Sequence, residues 1–325
     1  MPLDLAIGVD LGGTNVRVAL GRRNGTIEKK LVEKTEKGRG PEGVSEQIAR
    51  MIRSALGKEI SLREIEGIGI GSAGPLDIKR GGLMKPTNLP FDFVSLVKPL
   101  EEEFNLPVIL LNDCVAAVVG EKYFGIGREH DDLVYVTIST GIGGGVYVDG
   151  HLLIGKDGNA HEIGHFTIDF EGKLTCGCGR RGHWEAYCSG SGIPNYARLI
   201  IEEDGLMRVS GSHLIEGIIK NGYADVTAKT IYDYAKADDR VAKIIVEKIG
   251  VLNAIGFGCV VDAYDPSLIT VGGSVTLNNP NLIIDSIKRH LNKYARNRVP
   301  EITLTPLGED AVLYGALASV FYRKS

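Results

Sequence analysis

The sequence predicts an α/β protein built as two domains around a cleft. Three observations carry that expectation. Short apolar runs at 5–10, 65–70 and 108–111 end in small or polar residues, where a strand must turn or a backbone must approach a ligand. Helical spacing fills the intervals, as at 41–56, where Ile48, Ile52 and Ala55 share one face. The opening pattern of strand, glycine turn and strand returns at 133–148, a weak internal repeat that points to two similar halves. At 325 residues and 43% hydrophobic, the chain is long enough for both to have a core.

In order, strands at 5–10 and 16–20 flank the tight turn Leu11-Gly12-Gly13-Thr14, and a third at 26–34 completes an antiparallel meander. The strand at 65–70 runs into Gly71-Ser72-Ala73-Gly74-Pro75. The strand at 108–111 runs into Asn112-Asp113 and opens a helix at 114–124. A strand at 133–139, a glycine turn at 141–145 and a returning strand at 146–148 follow. The chain then reads as loop to about Gly192, as helix at 195–201 and 240–261, as strand at 267–271 ending in Gly272-Gly273-Ser274, and as a closing helix at 310–322. No low-complexity linker interrupts it. The expected division is a small domain over 1–118, with the C-terminal helix 310–325 packing back on it, and a larger domain over 119–309.

A net charge of −4 and a pI near 6.0 leave no basic stripe for a phosphate backbone, so nucleic acid is not an expected partner. The N-terminus lacks a secretory pattern, and no apolar stretch reads as approaching the roughly 20 residues that span a bilayer. A cytoplasmic protein with no membrane partner is expected. Of five cysteines, Cys114, Cys188 and Cys259 sit among apolar or small residues and read as buried thiols.

Asp10-Leu11-Gly12-Gly13-Thr14-Asn15 sets a carboxylate at a strand end before a hairpin whose missing side chains expose backbone N–H groups to an anion. Asp10 can hold magnesium or its waters, Thr14 can donate to a phosphate oxygen and Arg17 adds charge; an ordinary hairpin with an acidic shoulder is the alternative. Ser139-Thr140-Gly141-Ile142-Gly143-Gly144-Gly145 is a second such turn, and two facing hairpins could clamp a triphosphate. Gly69, Gly71 and Gly74 fit G-x-G-x-x-G, but Pro75 follows where a dinucleotide site needs a helix, and no Walker motif occurs. Asp113 either caps the helix after it or accepts the proton of a sugar hydroxyl, with Asn112 bonding the neighbouring hydroxyl. His165, Cys176, Cys178 and His183 make a tetrahedral zinc set; free thiols or a local disulfide are the alternatives.

Taken together, DLGGT, NDCVAAVVGE, STGIGGG, EIGH, CGCGRRGHWE, DPSLITVGGS and GALA resemble, over nearly the whole chain, the ROK family of sugar kinases and repressors, in its glucokinase and hexokinase branch. The resemblance implies the actin-like ATPase fold and an ATP-dependent kinase for a hexose, most simply glucose, with magnesium as cofactor and zinc as a structural ion. A kinase for another sugar (mannose, an N-acetylhexosamine or fructose) and a non-catalytic sugar-responsive regulator of the same family are the alternatives; the last would carry a DNA-binding domain ahead of the turn that begins here at Asp10. It implies Asp113 as catalytic base and Asn112, Glu162, His165 and Glu185 as sugar partners, with Gly74 beside them. Gly12, Gly13, Thr14, Asn15, Arg17, Thr140 and Gly141 would serve the phosphates, and Gly272 and Gly273 would lie near the adenosine. The family's third cysteine is His183 here, which makes the zinc set two His and two Cys. A homodimer or homotetramer is the implied assembly.

Overall fold

The computed structural model describes residues 3–86 and 89–322. The chain divides into two compact units, one comprising Met1–Tyr135, Gly145–His161 and Thr305–Ser325, the other Val136–Gly144 and Glu162–Leu304.

In the first unit, β1 (Leu5–Leu11), β2 (Asn15–Arg22) and β3 (Ile27–Lys34) form the expected meander, followed by helix α1 (Glu42–Leu56) and β4 (Ile65–Ser72). Three short strands, β5 (Leu76–Asp77), β6 (Gly82–Met84) and β7 (Phe93–Ser95), make a small sheet of their own, and α2 (Val97–Phe104) leads to β8 (Val108–Asn112) and α3 (Asp113–Tyr123). The main sheet has the order β3-β2-β1-β4-β8. β1 is buried along its whole length, which is why it reads as one apolar run, whereas β3 alternates and carries lysines on the open edge.

The register places the chemistry. Asp10 pairs with Arg17 on β2 and with Gly71 on β4, and Ser72 pairs in turn with Asn112 on β8. Because β1, β4 and β8 are parallel, Asp10, Ser72 and Asn112 line one edge of the sheet.

The second sheet, of order β11-β10-β9-β12-β13, contains β9 (Leu133–Ile138), β10 (Ile142–Val148), β11 (His151–Leu152), β12 (Leu268–Gly272) and β13 (Glu301–Leu304). The expected glycine turn over 141–145 is thus mostly strand: β10 begins at Ile142, and the turn after β9 consists of Ser139, Thr140 and Gly141. The second unit's helices are α4 (Glu185–Cys188), α5 (Ile193–Glu203), α6 (His213–Asn221), α7 (Ala228–Lys236), α8 (Arg240–Tyr264), α9 (Ser274–Asn278) and α10 (Pro280–His290). The last helix, α11 (Ala311–Phe321), belongs to the first unit and packs on α3, β1 and β4. A Cβ at Gly315 would lie 1.6 Å from the Ala116 carbonyl oxygen, so the two helices touch backbone to backbone. That contact keeps all of α3 with the first unit, whose first segment runs to Tyr135 rather than to the expected 118.

Two further expectations are corrected. Helix α8 has 25 residues and a mean hydropathy of 1.9 in its most apolar window, long and apolar enough by composition to cross a bilayer; 61% of that window is buried within the protein, against α7 and α10 among others. Cys259, on the same helix, is exposed rather than buried.

Candidate active site

The start of α3 separates two roles that the sequence left joined. Asn112 is the N-cap: its Oδ1 accepts from the backbone N–H of Cys114 at 2.9 Å and of Val115 at 3.4 Å. Asp113 is the first helical residue, and its Oδ1 accepts from the Cys114 N–H at 2.8 Å. Burial of the Asp113 carboxyl pushes its pKa up, against that backbone bond. Asn112 has its oxygen committed to the helix, so its Nδ2 is the group it can offer to a ligand.

Asp10 lies on the same sheet edge, 7% exposed. Burial raises its pKa to about 6; the Arg17 guanidinium, at 2.7 Å from Oδ2, lowers it, and the charges of Asp113 and Asp310 raise it. The adjoining hairpin is closed by the Gly12 N–H donating to the Asn15 carbonyl at 2.9 Å and held from outside by the Thr35 hydroxyl donating to the Gly12 carbonyl at 2.7 Å, with Thr14 exposed at its tip. Gly12 and Gly13 share a small depression with Ser72, Ala73 and Gly74. A residue missed in the sequence, Asn159, secures this corner: it accepts from the Leu76 N–H at 2.7 Å and donates to the Leu76 carbonyl at 2.8 Å. A side chain at Gly74 would come within 3.2 Å of its Oδ1.

In the second unit, the hairpin at Thr140 and Gly141 is tied to the segment after α4. The Gly190 N–H donates to the Ser139 carbonyl at 2.7 Å, and the Ser191 hydroxyl to the Thr140 carbonyl at 2.8 Å. Thr140 opens a cavity of about 510 Å³ walled by α7 and α9, with Thr227, Tyr232, Lys236, Ser274 and Asn278 among its lining. Gly273 stands just outside the wall at φ +85, and a Cβ there would meet the Ile138 carbonyl oxygen at 2.5 Å. Gly272 and Gly273 therefore set the turn from β12 into the wall, and the residues that line the cavity come from α7 and α9. No element is expected from the sequence between 201 and 240, so the α7 contribution went unseen.

The His/Cys loop closes on itself. His165 Nδ1 lies 3.7 Å from Cys176 Sγ, His183 Nδ1 lies 3.3 Å from Cys178 Sγ, and all four donor atoms fall within 4.8 Å of one another. Zinc bonds of about 2.3 Å to sulfur and about 2.05 Å to nitrogen give a tetrahedral S···N edge of about 3.5 Å, so the set fits zinc. Burial and the neighbouring His165 and Arg180 lower the pKa of His183, which keeps its imidazole neutral, as a ligand must be. Burial, Glu185 and Cys178 raise the pKa of Cys176, which stays a thiol until a metal displaces its proton. All five cysteines are free thiols, which removes the local disulfide. His165 turns its other nitrogen, Nε2, to within 3.6 Å of Glu162 Oε2, the arrangement by which a carboxylate orients a metal-bound imidazole. Glu185 follows Trp184, which is fully buried and donates from Nε1 to Asn253 on α8 at 2.9 Å.

The sequence model of the ROK family matches residues 6–322. A glucokinase of Pyrobaculum calidifontis is 34% identical over 316 residues, 97% of this chain and 94% of the relative. Among solved structures, the ROK hexokinase of Thermus thermophilus is similar at a TM-score of 0.80 and 30% identity, with 98% of each chain covered. A ROK family glucokinase of Streptomyces griseus in complex with glucose and AMPPNP is similar at 0.76 and 30% identity, over 96% of this chain and 98% of that one. The fold is the actin-like ATPase fold, and with near full-length matches in both sequence and structure the chain belongs to the ROK family.

Proposed function

We propose that this protein transfers the γ-phosphoryl group of ATP to a hexose, with glucose as the substrate and glucose 6-phosphate as the product. The observation that carries the reading is the pairing of Asn112 and Asp113 at the end of β8, on the sheet edge that also holds Asp10 and the first glycine hairpin, in a chain alike over nearly its whole length to glucokinases.

Asp113 accepts the proton of the attacking hydroxyl. Its raised pKa makes it a better proton acceptor than a solvated carboxylate, and because phosphoryl transfer depends mainly on positioning, one such group suffices. Asn112 donates from Nδ2 to a neighbouring hydroxyl. Glu162, His165 and Glu185 take other hydroxyls of the sugar. The hairpin of Gly12, Gly13, Thr14 and Asn15, bare of side chains at its two glycines, serves the phosphates with Arg17, as do Thr140 and Gly141, and the cavity walled by α7 and α9 takes the adenosine. Asp10 would hold magnesium, directly or through its waters, and the ion would supply charge neutralisation at the phosphates. Zinc on His165, Cys176, Cys178 and His183 shapes the loop that presents Glu162 and Glu185. The enzyme works in the cytoplasm as a homo-oligomer.

The test is a coupled assay of the purified protein with ATP, magnesium and a panel of hexoses. Glucose is expected to give the highest kcat/KM. A preference for mannose or an N-acetylhexosamine would move the substrate, and no turnover with any hexose would sink the reading.

A further inference from the structure

Glu185 holds two parts of the second unit at once. Its Oε2 accepts from the backbone N–H of Ile142 at 2.9 Å, immediately after the Thr140-Gly141 turn, and its Oε1 lies 3.5 Å from Cys176 Sγ in the His/Cys loop. The hairpin has been shaped to admit this carboxylate: a Cβ on Gly141 would sit 2.5 Å from Glu185 Oε2. Gly141 has no left-handed backbone to preserve, so the close approach of the carboxylate is what an added methyl there would disturb.

We propose that Glu185 is a positioning residue that couples nucleotide binding to sugar binding, one carboxylate holding the phosphate hairpin through Ile142 N–H while it serves the sugar. This rests on the functional reading above. A sugar hydroxyl that donates to Glu185 fixes its rotamer and thereby the hairpin, so sugar and nucleotide bind more tightly together than alone. The coupling is reciprocal: each ligand must raise the affinity of the other by the same factor.

Calorimetric titrations of glucose and of AMPPNP with magnesium, each alone and each with the other saturating, measure that factor. Wild type is expected to show a mutual enhancement of about fivefold or more. Glu185→Ala should reduce the factor to near one and weaken AMPPNP in the absence of sugar, while Glu185→Gln, which keeps an acceptor for Ile142 N–H, should retain part of it. Gly141→Ala, a change on the phosphate hairpin, should weaken glucose alone by several-fold because it displaces the carboxylate. The emission of Trp184, the single tryptophan, verifies that each variant folds. A Glu185→Ala enzyme with the wild-type factor, or a Gly141→Ala enzyme with wild-type glucose affinity, overturns the proposal. Wild type that binds both ligands without coupling overturns it and leaves the kinase reading standing; wild type that binds neither overturns both.

Discussion

Asn112 Oδ1 accepts the Cys114 backbone N–H at 2.9 Å, so Asn112, and not Asp113, caps helix α3. The cap and the candidate base are adjacent residues with separate duties, which makes the base testable without unwinding the helix. Asp113→Asn keeps an oxygen for the Cys114 N–H and removes only the proton acceptor. It should lower kcat by about 10² to 10⁴ while the glucose KM stays within a few-fold. Steady-state kinetics check this; near wild-type turnover would remove Asp113 from the chemistry.

Glu162 stands beside His165 and away from both glycine hairpins in sequence. Glu162→Ala removes the charged acceptor proposed for a sugar hydroxyl, an interaction of about 1.5 to 3 kcal/mol, and should raise the glucose KM tenfold or more. The affinity for a non-hydrolysable ATP analogue, measured without sugar, should barely change. If the nucleotide affinity falls and the sugar affinity holds, the His/Cys loop serves ATP.

Protein purified without chelator should carry about one zinc per chain, and Cys176→Ser or His183→Ala should lose it. Elemental analysis and thiol labelling check this together. Cys178 is exposed, so its protection from alkylation in native protein, relieved by a zinc chelator, would report the metal rather than burial. Trp184, next to His183, should change its emission on chelation. Absence of zinc with Cys176 and Cys178 both labelled in the native state would leave two ordinary thiols.

Glu121, fully buried on α3, gives stability a pH dependence. Burial raises its pKa, against the lowering effect of the Thr305 hydroxyl and the Ile126 backbone. The native state therefore keeps a proton after the unfolded chain has lost it. The stability this brings is complete below the ordinary value near 4.5 and is lost as pH rises through the folded-state value. Glu121→Gln has no such titration and should gain about 2 to 4 °C in Tm at pH 8 for each kcal/mol of penalty relieved, with the gain vanishing near pH 4. Melting curves across that range check the sign, and a gain that grows toward low pH would contradict it.

Much of this was legible along the chain because it is local. The strand at 5–10, the turn at 11–14 and the Asn112-Asp113 step depend on neighbours in sequence, and their positions hold within a residue or two. The second glycine run misled for a local reason too: three consecutive glycines read as a turn, yet Gly143, Gly144 and Gly145 are in β10, and a Cβ at Gly145 would strike the Cys114 carbonyl oxygen at 2.1 Å. They are strand residues against a close neighbour that the sequence does not name. The same blindness hid the cavity wall on α7 and the α11 contact that holds α3 in the first unit.

By itself, then, the amino-acid order marked the first meander, the strand at 65–70, the Asn112-Asp113 step with its candidate base, and a candidate metal set, since strand period, turn chemistry and ligand type are properties of short segments; it did not mark α7, α10 or the small sheet of β5, β6 and β7. Tertiary structure decided which of these groups share a site. It set Asp10, Ser72 and Asn112 on one edge through the register of three parallel strands, and brought Glu185 to the amide of Ile142 across 43 residues of chain. Register and long-range hydrogen bonds are fixed by packing between segments distant in sequence, and no window of residues contains them.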